Sequence, residues 1–241
     1  MAVALHRIVA IAAVCGIAGS ASAQIPWAQP SGGGTFFTFE NGQNLNGYFG
    51  NPFFVGDTFY FTPSNFTATA IDGGSVNRTD TFEVDLHIRP ELIGAFKFDA
   101  INITEFGDYG MTFAGPTPAT PSSVDATGIL RVDEIGGQSR FDVQNLDFPA
   151  LPASTLGTQS GNWQGDGASN LTLLEGANPF QHIHIKVTNN LIAISGGPGQ
   201  VATISKKAVG GTMAVTILPA PGTAGLLGAA GLIAIRRRRR S

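Results

Sequence analysis

The sequence predicts an all-β protein whose body is an antiparallel, jelly-roll-like β-sandwich, flanked by an N-terminal signal helix and a short C-terminal transmembrane helix. Three observations carry this reading. Apolar and polar residues alternate along most of the middle of the chain, the pattern of half-buried strands, and helical periodicity is nearly absent between Gln24 and Pro219. Glycine clusters punctuate the alternating runs at strand-like spacing. The composition is lean in charge, 13% Asp, Glu, Lys and Arg, and holds 32 Gly and 17 Phe in 241 residues, which excludes a coiled coil or a charged disordered chain.

The elements follow in chain order. Phe59 and Phe61 alternate around Tyr60. Phe82, Val84, Leu86 and Ile88 share one face of a strand, with Glu83, Asp85, His87 and Arg89 on the other. Phe96 and Phe98 are in phase, but Ile101 and Ile103 lie one residue out, so a β-bulge is expected near Asp99-Ala100. Leu130 and Val132 alternate with Arg131 and Asp133, and Phe141 and Val143 with Asp142 and Gln144. Ile183, Ile185 and Val187 alternate with His182, His184 and Lys186, and Asn189-Asn190 then reads as a tight hairpin turn into Leu191–Ser195. Met213, Val215 and Ile217 form the last strand.

Gly32–Gly34, Asp72–Gly74, Gly136-Gly137, Gly161 to Asn170, Gly196 to Gly199 and Gly210-Gly211 read as turns. The proline-rich segment Gly115–Ser123 reads as a loop or crossover. Nine of the 17 phenylalanines fall between Phe36 and Phe66, so this third is expected to supply much of the core.

The ends have a different character. Arg7, an apolar run from Ile8 to about Ile17 and the small residues Ala21-Ser22-Ala23 form a secretory signal peptide over residues 1–23, cut by signal peptidase before Gln24. At the other end Pro219, Ala220, Pro221 and Gly222 precede thirteen mostly apolar residues, 223–235, and then Arg236, Arg237, Arg238, Arg239 and Arg240. As a helix the apolar stretch rises roughly 20 Å at about 1.5 Å per residue, a marginal span for a hydrocarbon core of about 30 Å. The five arginines hold their end in the cytoplasm. The prolines interrupt any helix and leave an extended segment that a processing enzyme can grip.

This three-part tail, residues 218–241, resembles the PEP-CTERM sorting signal of bacterial surface proteins. Pro219 and Pro221 match the motif prolines, and Ala220 stands where the family has glutamate. The resemblance implies cleavage by an exosortase-type membrane enzyme, and a small β-rich body of this kind is common ahead of such tails. The expected organisation is therefore a signal peptide (1–23), a β-sandwich (24–217) and a sorting signal (218–241). The expected life history is that of a secreted or cell-surface protein, held in the membrane by its C-terminal helix until it is processed. Extracellular polysaccharide is a further expected partner.

Charge sharpens the split. Gln24 to Gly222 holds four Lys, four Arg and all 17 acids, a net charge of −9. That excludes a basic nucleic-acid-binding body. Cys15, the single cysteine, lies in the signal region, which excludes disulfides, a cysteine nucleophile and cysteine metal sites in the body.

Several side-chain sets carry groups capable of chemistry. His182 and His184 would stand about 6.5–7 Å apart on one strand face and could share a metal; Lys186 on the same face opposes this, and two outward histidines are the expectation, with no cofactor. Glu83, Asp85, Glu105 and Asp108 are candidate acid pairs for glycoside chemistry. The first two lie on a polar strand face, where solvated charge is the ordinary role, and the chain is expected not to be an enzyme. Gly165-Asp166-Gly167 and Asp72-Gly73-Gly74 offer oxygen ligands but lack the spaced acids of a calcium loop. Trp27, Trp163, Tyr48 and Tyr109 are the aromatics for an exposed sugar platform, although the excess of Phe favours core packing. Asn65, Asn77, Asn102 and Asn170 match the glycosylation sequon, read as chance in a bacterial protein. A carbohydrate-binding or adhesin module is the leading alternative function, and a metal-dependent or glycoside-acting enzyme the next.

Overall fold

The computed structural model describes residues 24–63, 65–115, 120–136, 140–174, 180–207 and 213–221. The expected signal peptide, Gly137 and Gly210-Gly211 of the expected turns, Gly222, the apolar stretch 223–235 and Arg236 to Arg240 lie outside the described residues. Among the described residues no helix is long and apolar enough to cross a membrane.

Among the described residues fifteen strands build two antiparallel sheets that pack as a sandwich. In chain order they are β1 (Ile25–Pro26), β2 (Gly32–Gly33), β3 (Phe37–Asn44), β4 (Phe53–Val55), β5 (Thr58–Phe61), β6 (Thr67–Ile71), β7 (Ser75–Ile88), β8 (Phe96–Phe113), β9 (Ser122–Glu134), β10 (Phe141–Asn145), β11 (Ala153–Thr155), β12 (Gln159–Asn170), β13 (His182–Ile194), β14 (Gln200–Lys206) and β15 (Met213–Pro221). The first sheet runs β1-β3-β7-β13-β9-β10, with β2 on β3 and β11 on β9; the second runs β4-β5-β15-β8-β14-β6, with β12 on β8. From β6 to β9 and again from β12 to β14, successive strands alternate between sheets, the jelly-roll-like habit. Strands on both sides of the proline-rich segment Gly115–Ser123 share both sheets.

The inner faces meet through the alternation read in the sequence. Phe82, Val84, Leu86 and Ile88 of β7 are buried, as are Ile183, Ile185 and Val187 of β13 and Leu130 and Val132 of β9. Six of the nine phenylalanines between Phe36 and Phe66 are buried. They form a network of ring contacts, such as Phe61 stacked on Phe82 at 4.5 Å and Phe49 edge-on to Phe82 at 5.2 Å. Fully burying one such ring contributes about 1.5–3 kcal/mol, which suits a body without disulfides.

The expected bulge is present. Leu218 pairs with Ala100 and Pro219 with Phe98, so Asp99 is the extra residue on β8. It allows Phe98 and Ile101 to be buried together despite their odd separation.

Three turn assignments are corrected. Gly32 and Gly33 are not a turn but strand β2, paired with Phe39 and Thr38 of β3. Asn189-Asn190 is not a hairpin: β13 runs unbroken through it, hydrogen-bonded to β7 on one side and β9 on the other. Gly161 to Asn170 is not a turn cluster either but strand β12, paired along its whole length with β8. Its glycines make room for rings and a branched side chain. A β-carbon on Gly165 would lie 2.3 Å from Phe148, and one on Gly167 2.6 Å from Leu146. A glycine in a strand often marks such a close approach. Asp72–Gly74 and Gly196–Gly199 are turns as read, with Asp72 and Gly73 at φ 50 and 84.

Candidate functional site

A groove of about 570 Å³ crosses the outer face of the first sheet near its β1–β3 edge. It owes its shape to a local irregularity in β3. Glu40 pairs with Asp85 and Gln43 with Glu83, so two residues, Asn41 and Gly42, oppose Val84 alone. Asn41 adopts φ 57, a left-handed conformation that asparagine tolerates better than most residues. Gly42 leaves space for the buried Trp27 ring, whose indole N–H donates to Asn44 Oδ1 at 3.0 Å. The chain before β3 contributes Pro26, Pro30 and Ser31 to one wall, and Asp85 and His184 form the floor with Glu40 and Asn41.

The polar groups in and beside the groove are already joined. Asp85 takes the Asn41 amide on Oδ2 at 2.7 Å and contacts His184 Nδ1 through Oδ1 at 2.6 Å. Glu83 receives Lys186 at 2.8 Å, the Gln24 amide at 3.0 Å and the Gln43 amide at 3.4 Å. His87 contacts Glu40 at 3.0 Å and lies edge-on to His182, ring centroids 4.8 Å apart. Burial, and secondarily the neighbouring His87, holds His182 below the usual imidazole range. Glu83 and Asp85 do share the outer face, but each is tied to a cation, imidazole or amide and neither is poised as an acid pair.

The two histidines have different neighbours, His182 beside His87 and His184 on Asp85. Among the described residues no group of three or more His, Cys, Asp or Glu side chains is placed to hold a metal ion. The suggested oxygen cages are otherwise employed. Asp166, within β12, accepts from Thr104 and Gln164. Asp72 accepts the Gly199 N–H at 2.8 Å, tying two turns together. Asp108 pairs with Lys207.

Trp27 and Trp163 are 3% and 2% exposed, so neither candidate forms an exposed platform and the favoured reading, core packing, holds for both: Trp163 lies against Phe148 and over Gly107. Tyr48 and Tyr109 are half-buried against it. Among the described residues the outward aromatic rings include Phe53, stacked on Tyr60 at 5.2 Å, and Phe141, under the Arg131 guanidinium at 5.2 Å.

Glu105 lies in an unexpected place, the centre of the sandwich. Its carboxylate meets the Lys206 ammonium on Oε2, both side chains being wholly buried, and accepts the Asn189 amide on Oε1 at 2.8 Å. Phe49 and Phe66 cover Lys206, ring centroids 4.9 and 5.5 Å from Nζ. Asp80, also buried, is satisfied by the N–H groups of Asn46, Phe49 and Thr81. Glu105, a candidate member of a catalytic acid pair from its sequence, is instead held by Lys206 and Asn189, partners 101 and 84 residues away in the chain. A signal existed: Glu105 is in phase with Ile101 and Ile103, Asn189 with Ile185 and Val187, and Lys206 with Ala202 and Ile204.

Pro219, Ala220 and Pro221 of the expected sorting motif fall at the end of β15. Pairing passes residue 217 and continues through Pro219, Ala220 and Pro221 opposite Phe98, Lys97 and Phe96. The segment is extended, as the prolines imply, and also docked. Gln24, the residue after the expected signal cleavage, begins the described chain beside Glu83.

No protein-family model matches the chain, and no curated protein matches it. Among solved structures the chain is similar to one titled as the structure of infectious bursal disease virus, Gx strain. The identity is 11%, covering 84% of this chain and 50% of that one, with a TM-score of 0.24. It is also similar to TmCBM61, solved in complex with β-1,4-galactotriose, at 9% identity over 67% of this chain and 87% of that one, TM-score 0.17. The chain thus spans about half the length of the viral chain. Scores this low bear on neither ancestry nor activity.

Proposed function

We propose that the protein is an exported, non-enzymatic component of the cell surface or extracellular matrix, processed at its C-terminal sorting signal by an exosortase-type enzyme. The observation that carries this reading is the tail itself: Pro219-Ala220-Pro221-Gly222, the apolar stretch 223–235 and five consecutive arginines. Its placement supports the same reading. Among the described residues the last strand ends at Pro221, which is exposed, so cutting after the prolines leaves every described strand in place. The measurement that tests it is the mass of the form on the cell surface. A chain shortened at both ends, starting at Gln24 and lacking Arg236 to Arg240, is expected; a surface form that retains the arginines overturns the proposal.

The outer groove favours a second reading, a module that binds polysaccharide. Glu40, Asn41, Asp85 and His184 present donors and acceptors in a shallow depression, the chemistry that hydroxyl-rich ligands need. Retention of matrix polysaccharide that is lost in Asp85→Ala would support it. No binding across a broad glycan panel at high protein concentration would sink it.

A further inference from the structure

We propose that Lys206 and Asn189 become joined by an intramolecular amide (isopeptide) bond, formed autocatalytically with Glu105 as the proton relay. Three polar residues from three strands converge inside an otherwise apolar interior. Asn189 comes from β13 in the first sheet; Glu105 and Lys206 come from β8 and β14 in the second. All three are at most 1% exposed. One carboxylate touches both reacting side chains, Lys206 Nζ through Oε2 and the Asn189 amide through Oε1. Holding an amine and an amide on a single carboxylate converts a sluggish encounter into a positioned one.

The surroundings set the protonation states the reaction needs. Burial pushes the Glu105 carboxyl up, opposed by Lys206, and burial pulls the Lys206 ammonium down, opposed by Glu105. A desolvated, neutral lysine is a nucleophile. The rings of Phe49 and Phe66 keep water from it. Gly128, beside Asn189 in the register, keeps space for the amide: a β-carbon there would lie 2.6 Å from Asn189 Nδ2. Asn189 Oδ1 is buried with no hydrogen-bond partner among the described residues. Turning the amide over about χ2 brings Oδ1 to Glu105, whose protonated carboxyl then donates to it and polarises the carbonyl.

The bonds balance without any added oxidant or cofactor. Lys206 Nζ passes one proton to the Glu105 carboxylate, and the free amine attacks Asn189 Cγ. Glu105 carries a second proton from Nζ to Nδ2. The Cγ–Nδ2 bond breaks, ammonia leaves, and Cγ–Nζ remains as a secondary amide. The product ties the central strand of the first sheet to the end of β14, just ahead of the strand that leads to the tail. This chemistry does not depend on the surface-protein reading, although a covalent tie between sheets suits a protein under mechanical load.

The test is peptide mass spectrometry of the full-length chain after denaturation and trypsin digestion. An acylated Lys206 resists trypsin, so the expected product is a peptide from Val187 to Lys207, about 17 Da lighter than its sequence for the lost ammonia. It should give no backbone fragments between Asn189 and Lys206. Glu105→Gln and Asn189→Ala should each restore cleavage after Lys206 and the ordinary mass. An unmodified Val187–Lys206 peptide from the wild-type protein overturns the proposal without reference to any variant. The same mass loss with cleavage after Lys206 intact denotes a cyclic imide at Asn189 and overturns it equally.

Discussion

The Trp27 ring lies directly against Gly42: a β-carbon on Gly42 would come within 2.2 Å of Trp27 Cε3. The contact is pinned from both sides, because the Trp27 N–H donates to the Gly42 carbonyl at 2.9 Å and its indole N–H to Asn44. The ring also meets Phe59, Phe61 and Phe82, so it cannot retreat into the core. Gly42→Ala should therefore cost about 1–3 kcal/mol, the usual range for overpacking. Trp27→Phe frees space on the same side, and the double variant should lose less than the sum of the two by about 1 kcal/mol or more. Urea unfolding of the four proteins closes the cycle; simple additivity would show that the ring and the glycine do not set each other's position.

Burial of both tryptophans makes a spectroscopic prediction. Fluorescence should be that of indole in apolar surroundings and resist iodide quenching until the protein unfolds, since neither Trp27 nor Trp163 faces solvent. Saccharides that bind should leave the emission unchanged, because the outward aromatic rings include Phe53 and Phe141 but no tryptophan. Strong iodide quenching of the folded protein, or a saccharide-induced emission shift, would place an indole on the surface and contradict the packing.

Much of this architecture was legible in the chain, for a physical reason. A strand with one wet face and one dry face must alternate, so β7, β9 and the first half of β13 could be read directly, and the phase slip before Ile101 located the bulge at Asp99. What failed was chemistry with two uses. Asn-Asn suits a turn, but Asn189 reaches Glu105 across the core and so keeps its strand. Glycine suits a turn as well, yet Gly165 and Gly167 are strand residues whose missing side chains admit Phe148 and Leu146. Both errors come from long-range partners that no local window contains. The groove was equally hidden, because it depends on how Asn41 and Gly42 bulge against β7.

His182 supplies a pH prediction with a definite sign. Its folded-state pKa lies below the ordinary 6.5, through burial first and the neighbouring His87 second. Near and below pH 6.5 the folded protein therefore binds this proton less readily than the unfolded chain. As pH falls through about 6.5, the unfolded chain takes up the proton first and stability declines until the folded value is passed. Above that window the contribution is constant. His182→Gln should flatten the dependence, and His87→Gln should reduce it by removing the like charge. Glu105, pushed upward from 4.5, contributes with the opposite slope above that value, so the variants must be compared with wild type at each pH. Equal slopes in urea midpoints between about pH 7.5 and 5.5 for wild type and His182→Gln would refute the assignment.

The bulge at Asp99 yields a sharper test, because deletion and substitution there should behave differently. Asp99 is the residue that lets Phe98 and Ile101 both point inward. Its side chain also accepts a hydrogen bond from the Thr172 hydroxyl. Asp99→Gly keeps the residue count and loses only that exposed bond, so it should cost no more than about 1 kcal/mol. Deleting Asp99 forces a change of parity. Either Phe98 turns to solvent, or Ile101, Ile103 and Glu105 do, and the shorter end is the cheaper one to flip. Exposing Phe98 costs about 1.5–3 kcal/mol, and the pairing of Pro219, Ala220 and Pro221 with Phe98, Lys97 and Phe96 goes with it. The freed end of β15 should then be cut by a nonspecific protease near Pro219 while the Asp99→Gly protein stays protected. If deletion and substitution prove equally mild and equally protected, the strand absorbs the extra residue elsewhere and Asp99 does not set the register of the last strand.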